Sequence, residues 1–185
     1  MNKLFIISGA SGVGKSTVLK KVMADRTDLA FSVSATTRAP RPGEKEGESY
    51  YFVTKETFRD MIARDAFLEY DDHMGNCYGT PKFEVDSKLT KGHVILDIEP
   101  NGAFAVKAKC PDAVLIFIAP PSVAELEQRL RGRGDTSQEQ MQIRLARASW
   151  EMEQSKHYDY IVTNDQVETC AHNILDIISQ REMEE

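Results

Sequence analysis

Gly9-Ala10-Ser11-Gly12-Val13-Gly14-Lys15-Ser16 follows directly on an apolar run at residues 4–7 and opens a helical pattern that begins at Lys15. The octet fits GxxxxGK[ST], and its place between a buried strand and a helix is the one its chemistry requires. The glycines let backbone N–H groups converge on phosphate oxygens, and the helix N-terminus adds its positive end. Lys15 can then neutralise β- and γ-phosphates while the Ser16 hydroxyl ligates Mg²⁺. A chance glycine turn has no reason to carry Lys15 and Ser16 at these offsets. A strand feeding such a loop belongs to a parallel sheet, and parallel strands covered on both faces read as unbroken apolar runs.

Four such runs stand out, at residues 3–8, 93–98, 113–118 and 159–163. Helical patterns separate them: residues 15–24 after the first, 123–130 behind Ser122, whose spacing to Glu125 is that of a capping box, and about 137–155 before the fourth. The pattern predicts an α/β chain with a three-layer, parallel-sheet core. Between residues 31 and 92 the texture changes to short strand-like pieces (31–36, 49–53 and 67–70) with small helices near 55–64 and 82–89. That stretch reads as an inserted subdomain. Residues 129–137 are rich in Arg and Gly between two helices, a basic segment free to move. Internal repeats and low-complexity tracts are absent.

The 185 residues, 41% of them hydrophobic, suffice for one core with insertions. With 29 acidic against 23 basic residues, a formal charge of -6 and no long basic run, nucleic acid and anionic membranes are poor partners. An anionic substrate on such a chain needs a locally basic pocket. The three cysteines, Cys77, Cys110 and Cys170, are odd in number and too far apart for a CxxC metal site, which points to a reduced, cytoplasmic setting. The opening apolar run is too short for a signal sequence or a membrane span. Composition leaves the oligomeric state open.

A phosphate loop of this kind works with a carboxylate at the end of a neighbouring strand, and Val94-Ile95-Leu96-Asp97 supplies one. Asp97 is expected to act on Mg²⁺ through water. A switch that reads guanine through Asn-Lys-x-Asp is excluded, since only Asn164-Asp165 follows the last strand. The inserted segment then becomes the candidate acceptor site, and it carries Ser34, Arg38, Arg41, Glu44, Tyr50, Glu69, Tyr78 and Thr80. Forked cations and hydroxyl donors among these, Arg38, Arg41, Tyr50 and Tyr78, suit a phosphate.

Ser34-Ala35-Thr36-Thr37-Arg38-Ala39-Pro40-Arg41-Pro42-Gly43-Glu44 resembles the GMP-binding signature of guanylate kinases. Further pieces match in order: Tyr50-Tyr51-Phe52-Val53 behind Gly47, Phe67-Leu68-Glu69-Tyr70, Gly75-Asn76 with Tyr78-Gly79-Thr80, Ile95-Leu96-Asp97-Ile98-Glu99, Arg131-Gly132-Arg133-Gly134 and Ile143-Arg144-Leu145. The likeness spans essentially the whole chain. It implies a core of residues 1–31, 93–122 and 149–185, a GMP-binding subdomain of residues 32–92 and a helical lid of residues 123–148. It also implies transfer of the γ-phosphoryl group of Mg-ATP to GMP, and to dGMP, with ADP and GDP as the products from GMP.

Carried over position by position, the family pattern assigns ATP to residues 9–16, Thr17 and Asn164. The GMP phosphate falls to Arg38, Arg41, Tyr50 and Tyr78 and the base to Ser34, Glu69 and Thr80, with Glu44 and Glu99 in the same site. Catalysis is assigned to Lys15, Arg38, Arg133 and Arg144, the last two from the lid. Chemistry agrees with the base assignment, because guanine presents N1–H and N2–H₂ as adjacent donors that one carboxylate accepts together, and adenine does not. Arg129, Arg131 and Arg147 read equally well as lid cations or as exposed helix charges and are left out of the site. The chain departs from the family at Asp97-Ile98-Glu99-Pro100-Asn101-Gly102, where Asp-x-Asp, an apolar residue and Gln-Gly are usual. Rival expectations are a catalytically silent binding module of the same fold, a kinase for a phosphorylated sugar and an acceptor-independent ATPase. Intact Gly14-Lys15-Ser16 and Asp97 speak against the first, and the guanine-reading set against the second.

Overall fold

The computed structural model describes residues 2–73, 75–131 and 138–184. The chain opens with β1 (Leu4–Gly9), the phosphate loop and α1 (Lys15–Asp25), then returns through β2 (Leu29–Phe31). Next come β3 (Ala35–Thr36), β4 (Tyr51–Phe52), α2 (Lys55–Ala63), β5 (Phe67–His73), β6 (Asn76–Pro81) and α3 (Lys82–Leu89). The remainder alternates β7 (His93–Asp97), α4 (Pro100–Lys109), β8 (Val114–Ala119), α5 (Val123–Arg131), α6 (Gln138–Gln154), β9 (Tyr160–Thr163) and α7 (Val167–Met183).

One five-stranded sheet runs in the order β2-β7-β1-β8-β9 with every pairing parallel. Parallel pairing demands crossover connections, and right-handed crossovers that travel in opposite directions put their helices on opposite faces. The β1-α1-β2 connection travels toward one edge and β7-α4-β8 toward the other, so α1 and α4 cover opposite faces. α7 packs beside α1. Both faces are thereby closed, and Phe5, Ile6 and Ile7 of β1 and Ile116, Phe117 and Ile118 of β8 are wholly buried. The first three apolar runs are strands for this reason; the fourth, β9, pairs at the edge of the sheet and leaves Ile161 exposed.

Residues 31–36, which read as one strand, are divided between two sheets. Leu29–Phe31 pairs with β7, whereas Ala35–Thr36 joins a four-stranded sheet in the order β4-β3-β6-β5. At the crossing Ser32 N–H still donates to the Ile95 carbonyl at 3.0 Å, but Val33 N–H turns to Glu84 Oε1 at 3.0 Å. Glu84 is buried and also accepts from the Tyr51 hydroxyl at 2.9 Å. A buried carboxylate from α3 thus takes up an amide that a continuous strand would have paired. The small sheet has its own apolar centre, Ala35, Phe58 and Phe67, with the two rings stacked at 4.5 Å.

β6, α4 and α7 are elements the sequence reading did not pick out. α4 opens on Pro100, which is tolerated in the first turn because its missing N–H would be unpaired there anyway. Ser122 Oγ accepts from Glu125 N–H at 3.1 Å, half of the expected capping box, while the Glu125 carboxylate is bound by Arg129. Leu126, Leu130 and Ala148 belong to the main core, and α6 continues to Gln154, so both helices of the segment read as a lid are seated on the core. Among the described residues no helix is long and apolar enough to cross a membrane.

Candidate active site

The phosphate loop leaves β1 at the carboxyl end of the sheet, where parallel α/β sheets bind ligands. Gly12 and Gly14 hold φ of +89° and +92°, a conformation in which a side chain is strained. Gly14 caps α1 without a side chain, which leaves the first-turn N–H groups to a bound anion. Behind the loop three side chains pin it. Asn164 Nδ2 donates to the Val13 carbonyl at 2.7 Å, and Arg129 donates to the same carbonyl at 3.3 Å and to the Asn164 carbonyl at 3.2 Å. Ser11 N–H donates to Glu151 Oε2 at 2.6 Å. Asn164 and Glu151 are each 3% exposed, and burial pushes the Glu151 carboxyl above its ordinary value. Asn164, which the family pattern assigns to ATP, thus turns its amide nitrogen to the loop.

Asp97 ends β7 in register with Ile7, and its carboxylate is ion-paired with Lys15. Ser16 and Asp97 line one cavity of about 280 Å³. Hydroxyl and carboxylate oxygens are the hard donors that Mg²⁺ selects, so the residues present fit that ion.

A cavity of about 370 Å³ reaches from Lys15 and Asp97 to the small sheet. Ser34, Tyr50, Glu69, Tyr78 and Glu99 line it. Thr80 acts on it through Glu69, its hydroxyl donating to Oε1 at 2.6 Å. Glu69 is 9% exposed, and burial pushes its carboxyl above the ordinary value against the opposing pull of Thr80. Gly102, in the first turn of α4, makes room for it: a Cβ there would sit 2.8 Å from Glu69 Oε2. Gly102→Ala is therefore expected to displace Glu69 and raise the acceptor KM about fivefold or more, equivalent to about 1 kcal/mol, with donor binding unchanged. Steady-state kinetics in both substrates checks this, and an unaltered acceptor KM would show that Glu69 yields freely.

Next to Tyr50, but not among the residues that line the cavity, Glu44 grips both terminal guanidinium nitrogens of Arg38, at 3.0 and 2.8 Å, and Arg38 lies over the Tyr50 ring at 5.4 Å. Glu44 also accepts from Arg41 N–H at 2.7 Å, so it fixes the turn that carries both arginines, while the Arg41 side chain is exposed. Tyr50 and Tyr78 meet edge to face at 6.0 Å. Burial raises the Tyr50 hydroxyl, which keeps its proton at neutral pH.

Arg133 lies outside the described residues. Arg144 is exposed on α6 and makes no ion pair among the described residues. Arg147, left out of the site on its sequence, is half-buried, paired with Glu99 at the cavity and with Glu151 at 3.3 Å. Since Glu151 also holds Ser11 N–H, α6 ties the acceptor cavity to the phosphate loop. An i,i+4 pair such as Arg147 and Glu151 looks in sequence like any solvated helix pair. Arg129 likewise reaches inward to the loop, whereas Arg131 pairs with Glu127 at the surface. Asp71 and Ile98 also line the cavity without having been singled out. For Asp71 a signal existed, since strand alternation puts it on the Glu69 side.

The guanylate kinase family model matches residues 1–181. A guanylate kinase of Thermus thermophilus is 48% identical over 178 residues, which cover 96% of this chain and 80% of that protein. One from Prochlorococcus marinus is 46% identical over 177 residues, covering 95% of this chain and 96% of its own. Among solved structures, the guanylate kinase of Anaplasma phagocytophilum superposes with a TM-score of 0.79 at 33% identity, over 98% of this chain and 87% of that one.

Proposed function

The chain belongs to the guanylate kinase family, whose reaction is the ATP-dependent phosphorylation of GMP, and we propose that it carries out this transfer in the cleft between the phosphate loop and the small sheet. One observation carries the reading: Lys15 and Asp97 of the donor side line the same cavity as Ser34, Glu69 and Tyr78. Donor and acceptor share an enclosure small enough for direct transfer. At its inner end guanine N1–H and N2–H₂ meet the Glu69 carboxylate, oriented by Thr80, and O6 meets the Ser34 hydroxyl. Adenine in that place leaves the buried Glu69 with no donor but Thr80, at a cost of about 1–3 kcal/mol.

Arg38, steadied by Glu44, and Arg41 neutralise the GMP phosphate, with hydrogen bonds from the Tyr50 and Tyr78 hydroxyls. Loop amides and Lys15 hold the β- and γ-phosphates of ATP, Lys15 exchanging its Asp97 partner for phosphate oxygens. An oxygen of the GMP phosphate attacks the γ-phosphorus as the bond from that phosphorus to the β,γ-bridging oxygen breaks, leaving ADP and GDP. The acceptor is already an anion, its second pKa being about 6, so no general base is needed and the rate comes from positioning and electrostatics. Ser16, and Asp97 through water, would hold Mg²⁺, which would supply further neutralisation of phosphate charge. Arg133 and Arg144 are assigned to the transferring phosphoryl group in a closed state that excludes water. The three cysteines are free, and the reading puts the enzyme in the reducing cytoplasm.

The test is a coupled ADP-release assay with GMP, dGMP, AMP, CMP, UMP or no acceptor. Release that depends on a guanine nucleotide is expected, and release without any acceptor would leave only an ATPase. Closure has a separate check: a bisubstrate analogue is expected to compact the protein in solution scattering and to slow amide exchange around Arg144. No change in either observable would count against it.

A further inference from the structure

Asp71 lines the acceptor cavity, yet the reaction as described gives it nothing to do. In the β5–β6 hairpin Glu69 faces Thr80, Tyr70 faces Gly79 and Asp71 faces Tyr78. Strand alternation sends Glu69 and Asp71 to one side, about 7 Å apart along the strand. Tyr70 goes to the other, where its ring meets Phe58 and Phe67. The cavity side of the hairpin therefore presents the base-reading pair Glu69 and Thr80 first, then Asp71 beside the phosphate donor Tyr78. Between the base and the phosphate of a nucleotide lies its sugar.

Asp71 Oδ1 accepts from Asp72 N–H at 2.8 Å, and the side chain is exposed where it lines the cavity. A carboxylate beside an anion site repels the anion unless a cation or a ligand donor meets it. Asp97 has Lys15 and Glu99 has Arg147, whereas a ligand hydroxyl is the donor that Asp71 is placed to receive. GMP has few donors. Glu69 takes N1–H and one hydrogen of N2–H₂, and the phosphate has no donor when ionised, so the second N2–H and the two ribose hydroxyls remain. Asp71, opposite Tyr78 and one step beyond the Glu69–Thr80 pair, is placed for the ribose rather than the base.

We propose that Asp71 accepts a hydrogen bond from a ribose hydroxyl of the acceptor nucleotide and so sets a preference for the ribonucleotide over its deoxy form. A carboxylate holding ribose hydroxyls is established chemistry in dinucleotide sites. The inference rests on the GMP reading above and names what recognises the sugar within it.

The experiment measures kcat/KM for GMP, 2′-deoxy-GMP and 3′-deoxy-GMP in the unaltered protein, in Asp71→Asn and in Asp71→Ala. The unaltered protein should favour GMP over at least one deoxy analogue by about tenfold, the size of a hydrogen bond to a charged acceptor. Asp71→Ala should lose that factor for GMP and nothing for the same analogue, so that the preference vanishes. Asp71→Asn keeps a carbonyl acceptor without the charge and should fall between. KM for ATP at saturating GMP, unchanged in all three, reports an intact fold and donor site. Equal losses on all three nucleotides, as expected if Asp71 only supports the hairpin or pairs with a lid cation, would overturn the proposal. So would an unaltered protein that does not distinguish the three. A protein that turns over no GMP at all would instead overturn the function on which the inference rests.

Discussion

Replacing Lys15 by alanine is expected to reduce kcat for GMP phosphorylation by about 10²- to 10³-fold while the protein stays folded. In the structure the amine is ion-paired with Asp97, and the two side chains are 20% and 39% exposed. A pair so open to solvent contributes little to folding, so its loss should move the unfolding midpoint only slightly. The amine matters when phosphate charge enters a cleft from which water is excluded, because there each fixed cation acts at low dielectric. Lys15→Met retains the aliphatic stem and separates lost packing from lost charge, and it should be as impaired as the alanine variant. Single-turnover transfer and thermal unfolding together check the claim. More than about a tenth of the original kcat remaining, a loss below roughly 1.4 kcal/mol, would contradict the assignment of the loop.

The second large effect is expected from Glu69→Gln, which keeps the shape of the side chain but turns an NH₂ toward the guanine donors. Losing a charge-assisted pair and gaining a donor-donor contact should remove about 2 to 4 kcal/mol from kcat/KM for GMP. AMP, which has no adjacent donor pair for that carboxylate, should lose far less, and the GMP to AMP ratio should fall at least about tenfold. The structure adds a pH signature. Burial raises the Glu69 carboxyl above 4.5, so recognition of guanine should fail on acidification sooner than an ordinary carboxylate would allow. The sign follows from the chemistry, since the protonated acid offers a donor where guanine also offers one. AMP carries the same phosphate and serves as the control for its titration. Equal losses for GMP and AMP in Glu69→Gln would make Glu69 a support of the hairpin and no more.

Much of this site was legible before any coordinates. Gly9 through Ser16 needed only spacing, because the chemistry of phosphate binding is local: consecutive amides, one helix start, one lysine and one hydroxyl. Asp97 could be found because a strand end is also a local feature. The parallel core followed from unbroken apolar runs, whose cause, burial on both faces, is written into each strand separately. Short segments were a different matter. Residues 31–36 alternate well enough to be one strand, and nothing within them says that Leu29–Phe31 and Ala35–Thr36 belong to different sheets. That division is made by Glu84, which takes the Val33 amide from a distant helix. Likewise Arg147 and Glu151 carry the ordinary signature of a solvated helix pair, and only the packing of α6 against the loop gives them Glu99 and Ser11 as partners. Gly102 matters because Glu69 approaches it across more than thirty residues of chain, a contact that no local pattern encodes. The sequence by itself thus determined the parallel core and the phosphate loop, since each is dictated by neighbouring residues, while the acceptor was implied by the resemblance to guanylate kinases. Which sheet each short strand joins, what braces the loop from behind and which carboxylates share the cavity were decided by the tertiary structure, because those contacts join residues whose proximity exists only after the core has packed.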